Sequence, residues 1–197
     1  MQRRPLHLAV VGGGSNAQSM VLGDGGQREQ KHVVVDEDDD DTIQCRPRTP
    51  REREDIMREL VRIEKRHWDK GSSWGDQLPT LVAKRNAYVF VVLDDAAGVQ
   101  PVAYAVLYVN ALHAQMSKLF TMPAWRGQGV ATRLVRVVLG AVRRLKGPGY
   151  EVTLMVEVGN LAAQAVYERC GFRREADEVL DYYAVGRHAW RMKTSWP

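Results

Sequence analysis

The chain has 197 residues, 45% of them hydrophobic, and carries 28 Lys and Arg against 24 Asp and Glu, a formal net charge of +4. That length and apolar content can bury one sizeable core, so a small scaffold held by staples is excluded. Two cysteines, Cys45 and Cys170, make no disulfide framework, and without a CxxC or Cys/His cluster they point to no metal and to a reducing compartment.

Residues 1–41 carry eight acids against four bases, which leaves residues 42–197 at net +8. They include Gly12-Gly13-Gly14-Ser15, Gly23-Asp24-Gly25-Gly26 and an acidic run from Asp36 to Asp41. Such a composition buries too little apolar surface to offset ordering entropy, and it reads as a disordered N-terminal extension. Leu6 to Val11 is too short for a signal-peptide core, and the acids Asp24 and Glu29 argue against a transit peptide. Organellar targeting by residues 1–30 stays open beside a cytoplasmic or nuclear location. Gly12-Gly13-Gly14 lacks the following amphipathic helix that a dinucleotide loop needs. Val33 to Val35 could form a short edge strand, but the acids behind it argue against one. The basic remainder suits an anionic partner such as a phosphorylated cofactor, or is merely a solubilising surface. No apolar run approaches the ~20 residues that span a bilayer, so no membrane partner is expected.

From Thr42 the pattern becomes that of one folded domain. Thr42 to Arg46 reads as a short strand, and Thr49-Pro50 as an N-cap with proline at the first helical position. Ile56, Leu60, Ile63 and His67 recur at helical spacing, and a second short helix fits between Gly75 and Asn86. Ala87 to Leu93 and Val99 to Val109 are strands joined by a hairpin signal, followed by a strand from Ala114 to Met122. Val130 to Leu145 is an arginine-studded helix stopped by Gly147-Pro148-Gly149. Glu151 to Val158 is a strand and Leu161 to Cys170 a helix ended by Gly171, before strands over Phe172–Asp177 and His188–Thr194. The order β-α-α-β-β-β-α-β-α-β-β implies a single α/β (α+β) domain over 42–197 with a mixed sheet.

The informative junction is strand, then Pro123-Ala124-Trp125-Arg126-Gly127-Gln128-Gly129-Val130-Ala131, then helix. Glycines there let consecutive N–H groups approach a ligand, and the helix start adds unpaired donors and a positive dipole end. Arg126 adds a fixed charge, so the junction suits a diphosphate. It is neither a Walker A loop nor GxGxxG. Arg126 to Ala131 resembles the (Gln/Arg)-x-x-Gly-x-(Gly/Ala) signature of the GNAT acetyltransferases. That resemblance implies acetyl-CoA as cosubstrate and a mostly antiparallel central sheet with helices on both faces. It also implies that Arg126, Gly127, Gln128, Gly129, Val130 and Ala131 wrap the coenzyme A pyrophosphate.

Leu154-x-Val156-x-x-x-Asn160-x-x-Ala163-x-x-x-Tyr167-x-x-x-Gly171-Phe172 is similar to the family's second signature. Ala163 and Tyr167, four apart, share one helix face. The resemblance implies that Asn160 and Tyr167 border the thiol end of CoA and that Tyr167 protonates the leaving thiolate. It further implies a bulge in Lys118 to Met122 whose backbone N–H polarises the thioester carbonyl, with Leu119 and Thr121 as backbone contacts to the cofactor.

Asp181-Tyr182-Tyr183 and Gly186 to Met192 resemble ribosomal-protein alanine and protein Nα-acetyltransferases, in which a tyrosine pair lies in the loop between the last two strands and lines the peptide groove. Tyr182 and Tyr183 are therefore candidate substrate residues, with Trp68 and Trp74 as further walls for an amine, through cation–π contact or simple packing. Where those relatives often carry a Glu or His base, this chain has Met155, which accepts no proton. Glu157, on the same strand face, is the substitute catalytic base, His113 the next candidate, and a water chain to bulk the third.

The sequence thus reads as an acetyl-CoA-dependent N-acetyltransferase acting on a primary amine of a peptide, protein or small molecule. Two rivals are a catalytically inactive CoA-binding sensor and a basic nucleic-acid-binding module. No aromatic-interleaved basic stretch supports the second, so no nucleic-acid partner is expected.

Overall fold

The computed structural model describes residues 6–11, 32–33, 43–45, 49–94 and 99–194. Two parts of the expected extension of residues 1–41 belong to the sheet: Leu6–Val11 is a strand, β1, and His32–Val33 is a two-residue strand at the edge, where the sequence argued against one at Val33. Strand β1 pairs antiparallel with β4 (Ala87–Asp94), from Leu6 opposite Asp94 to Val11 opposite Val89. The glycine clusters and the acidic run from Asp36 to Asp41 lie outside the described residues. The physical reason for the correction is alternation: Leu6 and Leu8 are buried on one sheet face, Ala9 and Val11 on the other. A strand covered on both faces reads as a continuous apolar run, and its partner lies about eighty residues downstream. His32–Val33 (β2) and Ile43–Cys45 (β3) extend that edge, β3 pairing parallel with β1.

The remaining elements follow the expected order. α1 spans Pro50–His67 and α2 Leu78–Val82; β5 is Gln100–Val109, β6 His113–Thr121 and α3 Val130–Lys146. β7 is Glu151–Glu157, α4 Leu161–Arg169, β8 Arg173–Ala184 and β9 Arg187–Thr194. Among the described residues the strands form one sheet in the order β2-β3-β1-β4-β5-β6-β7-β9-β8. Only β1–β3 and β6–β7 are parallel pairs, so the sheet is mixed and mostly antiparallel.

Helices cover both faces because β4 and β5 are apolar on both. Tyr88, Phe90 and Val92 face the layer built by α3 and α4, where Val130, Leu134, Val137, Val138, Ala141 and Val142 are buried. Val89, Val91 and Leu93 face the opposite layer, filled by Ile56, Leu60 and Ile63 of α1 and Leu78 and Val82 of α2. α1 starts at a capping box, in which Thr49 Oγ1 accepts from the Glu52 amide (3.2 Å) and Glu52 Oε2 from the Thr49 amide (2.8 Å).

One irregularity makes the site. β5 and β6 pair with Leu107 opposite Met116 but Val106 opposite Lys118, so Ser117 is an extra, bulged residue. A bulge bends its strand and increases its twist. β6 then pairs with β7 only from His113 to Met116 (Glu151 to Leu154), while β7 stays with β9 as far as Glu157. The two parallel strands splay beyond that point, and the gap between them runs from the α3–α4 side of the sheet to the α1–α2 side.

Candidate active site

The splay opens a cleft of about 430 Å³. On the α3–α4 side it is lined by Leu119, Val156, Asn160, Ala163 and Tyr167, and on the other by Trp68, Asp69, Ser72, Trp74 and Lys118. Tyr182, Tyr183 and Arg187 close its rim.

At the cofactor end the expected loop is in place. Gly127 and Gly129 have φ of +72° and +77°, and a Cβ added to either would meet nothing within 4 Å. The positive φ requires glycine, and the open space beside it leaves room for a ligand against the backbone. Gly129 N-caps α3 with no side-chain cap, so the first amides of the helix point to open space. Arg126 Nε donates to Thr121 O (3.1 Å) and Gln128 Nε2 to Ala124 O (2.8 Å), both of which stiffen the loop. Val130 is buried in the core and Ala131 half-buried, so these two hold the helix start against the sheet.

The Met122 amide donates to Val102 O on β5 (2.8 Å), so by alternation the backbone groups of Leu119 and Thr121 face the splay. Thr121 Oγ1 is buried and, among the described residues, has no hydrogen-bond partner. The bulge lies one residue before the expected stretch, at Ser117 rather than within Lys118 to Met122.

Asn160 caps α4, its Oδ1 accepting from the Ala163 amide (3.1 Å). Gln164, overlooked in the sequence, is buried beneath it and donates to Glu157 O (3.1 Å) and Val158 O (2.8 Å), tying the helix to the end of β7. Tyr167 is buried against Phe172, with ring centroids 5.7 Å apart, yet lines the cleft. Among the described residues its hydroxyl has no hydrogen-bond partner. Burial first, then the neighbouring Tyr183 and Cys170, push its pKa well above the ordinary phenol value, so it stays protonated.

Three expected side chains stand in surroundings the sequence did not show. Glu157 reaches the cleft, but Arg187 holds it bidentately (Nε–Oε1 2.8 Å, Nη2–Oε2 2.9 Å). The hydrogen bond from Arg187 keeps its carboxyl below the usual range. His113 pairs with Glu151 at the closed end of β6–β7 and does not line the cleft. Trp68 and Trp74 do wall the cleft, but the cation over their rings is the protein's own: Lys118 Nζ lies 4.1 and 4.6 Å from their centroids. Lys118 also donates to Glu64 Oε2 (2.6 Å) and Ser72 O (2.7 Å). Glu64, fully buried, further accepts from the Trp74 amide (2.7 Å) and the Tyr104 hydroxyl.

Tyr182 and Tyr183 lie at the end of strand β8 rather than in the loop after it, packed edge to face at 4.9 Å. Asp181 has φ of +51° and accepts from the Gly186 amide (2.7 Å), and this kink breaks the β8–β9 register. Tyr183 thereby donates to Met155 O (2.9 Å), and burial raises its pKa to about 12. Arg187 completes the rim by reaching Asp69 (3.3 Å) across the cleft mouth. Asp181 and Arg187 both lie in the stretches that carry the resemblance, but the sequence assigned a role to neither. Among the described residues no helix is long and apolar enough to cross a membrane, and no cluster of three or more His, Cys, Asp or Glu could hold a metal.

The chain is 37% identical over 82 residues, 42% of its length, to the N-alpha-acetyltransferase MAK3 of Arabidopsis thaliana, and it spans 42% of that relative. In fold it is similar to the ribosomal-protein-S18-alanine N-acetyltransferase of Escherichia coli, with a TM-score of 0.61, 20% identity and coverage of 73% of this chain and 88% of that one. It is similar also to a chain of the NatC complex bound to Gag peptide and CoA, with a TM-score of 0.59, 21% identity and coverage of 77% and 97%. The model of the Acetyltransferase (GNAT) family matches residues 53–172, more than half the chain, and the chain belongs to that family.

Proposed function

We propose that the protein transfers the acetyl group of acetyl-CoA to a primary amine, foremost the N-terminal amine of a polypeptide. The observation that carries this reading is the splay at Ser117, flanked on one side by the open helix start at Gly129 and on the other by an aromatic rim. The amides from Gly127 to Ala131 and the Arg126 charge suit a diphosphate, and the splay admits an extended thiol arm alongside the backbone edge of β6 from Leu119. The open space beside both glycines and the orphaned Thr121 hydroxyl fit such a ligand.

In this reading the residues around Ser117 turn backbone N–H groups toward the thioester carbonyl and stabilise the oxyanion formed on attack. The amine lone pair forms the new C–N bond and the C–S bond breaks. Tyr167 gives its hydroxyl proton to the departing sulfur and regains one, through water, from the amide nitrogen being formed. Burial that raises the phenol raises the thiolate as well, so the two stay matched enough for transfer. With Met155 inert and Glu157 held by Arg187, the acceptor ammonium loses its first proton to water rather than to a side chain.

The likeness to N-alpha-acetyltransferases over less than half of the chain supports a polypeptide acceptor, as do Tyr182 and Tyr183 on the rim. The two-cysteine content fits a cytoplasmic setting. The test is acetyl-CoA-dependent thiol release with peptides of varied first residue beside free lysine and spermidine. Release with none of them, despite CoA binding, would favour a sensor.

A further inference from the structure

The cleft crosses the sheet, and this orients it. Gly127, Gly129, Asn160 and Tyr167 stand with α3 and α4, so the donor enters from that side and the acceptor meets the wall of Trp68, Trp74 and the segment between them. Two tryptophan faces with a carboxylate behind them are a binding site for an ammonium group. Here the site is filled from within. The Lys118 ammonium touches both rings and Glu64, and its side chain is 4% exposed. The charged residues lining the cleft are Asp69, Lys118, Glu157 and Arg187, and Arg187 already holds both lining carboxylates.

We propose that Lys118 is a specificity residue: by occupying the Trp68–Trp74 cage it denies that cage to the second ammonium of a polyamine and restricts the site to acceptors with a single positive charge. This rests on the acetyltransfer reading for its enzymatic consequence, but not for its binding consequence. A dicationic acceptor that presents one amine to the thioester must place another a few ångströms behind it. In this cleft it would meet Lys118 and Arg187 and, among the described residues, no lining carboxylate without a cation. Each of these cations is already matched by a carboxylate, so a second ammonium entering the partly dry cleft would lose water and gain no free counter-charge. An acceptor whose second group is apolar meets the rings of Trp68, Trp74 and the tyrosine rim instead.

The experiment is calorimetric titration of the full chain with spermidine, beside kcat/KM for spermidine relative to a peptide with a neutral second residue. Lys118→Ala empties the cage and leaves Glu64 facing it. Spermidine affinity and the spermidine-to-peptide ratio are both expected to rise, by roughly tenfold or more. Lys118→Arg keeps a cation there and is expected to retain the poor spermidine affinity of the wild type. If Lys118→Ala does not fold, the Glu64→Gln/Lys118→Ala pair removes the stranded carboxylate and must change affinity in the same direction. Unchanged or weaker spermidine binding in the variant that folds overturns the proposal, as does a wild type that already binds spermidine equally well. A wild type that acetylates no acceptor would defeat the acetyltransfer reading alone, because the titration needs no turnover.

Discussion

Arg187 grips Glu157 with two parallel N–H···O bonds of 2.8 and 2.9 Å, thirty residues apart in the chain. The bidentate pair joins the start of β9 to the end of β7, and the same guanidinium reaches Asp69 beyond α1 at 3.3 Å. A carboxylate so held serves as an anchor, because protonating it would cost both bonds.

Glu157→Gln is therefore expected to lower kcat by less than about tenfold, below the roughly 10²–10⁴ that loss of a general base costs. Arg187→Ala, which frees both carboxylates and loosens the rim, is expected to raise KM for a peptide acceptor while leaving KM for acetyl-CoA in place. Steady-state kinetics with each substrate varied in turn would check this. A collapse of kcat in Glu157→Gln would restore its role as base.

Tyr167→Phe keeps the ring against Phe172 and removes only the hydroxyl. Turnover should fall by about 10²-fold, the lower end for acid assistance because a thiolate leaves readily. CoA affinity, read by calorimetry, should stay put. An unchanged kcat would remove Tyr167 from the chemistry.

The pH profile should follow the acceptor more than the protein. Glu157 is held below the ordinary carboxylate range and so is ionised throughout the neutral region. Tyr167 is raised, so it keeps its proton and gives no alkaline loss below about pH 10, the ordinary phenol value. The rising limb of kcat/KM should then sit near the acceptor's own amine, about pH 8 for an α-amine and about two units higher for a lysine side chain. Finding the same limb near pH 6 to 7 for both acceptors would indicate a protein base.

Gly129→Ala meets no steric obstacle, so its cost is the left-handed φ, about 1–2 kcal/mol. The urea midpoint should fall by that equivalent. CoA binding should weaken as well, because the methyl group intrudes where a phosphate would lie. Retained affinity would show that the ligand does not touch this turn.

Glu64→Ala strands Lys118 and leaves the Tyr104 hydroxyl and the Trp74 amide without their acceptor. Removing one partner of a buried pair typically costs on the order of 3–5 kcal/mol. Urea unfolding would measure it, and a loss under about 1 kcal/mol would mean that water refills the site.

Much of the architecture was local enough to read from the chain. The Thr49-Pro50 helix start, the apolar stripe of α3 and the glycine turn at 127 and 129 are set by residues within a few positions of one another. The strand–loop–helix carrying the cofactor end therefore stood out before any tertiary contact was known. Tertiary structure decided the rest, where partners are far apart. Leu6–Val11 became sheet because β4, about eighty residues on, offered it an edge. Glu157 gained a bidentate partner because Arg187 arrives from the following hairpin. The tryptophan cage found its cation in Lys118, placed there by a one-residue bulge that turns the strand face over. Caps, turns and periodicity are short-range effects written in neighbouring residues, whereas charge pairing and edge pairing exist only once folding brings distant segments into contact.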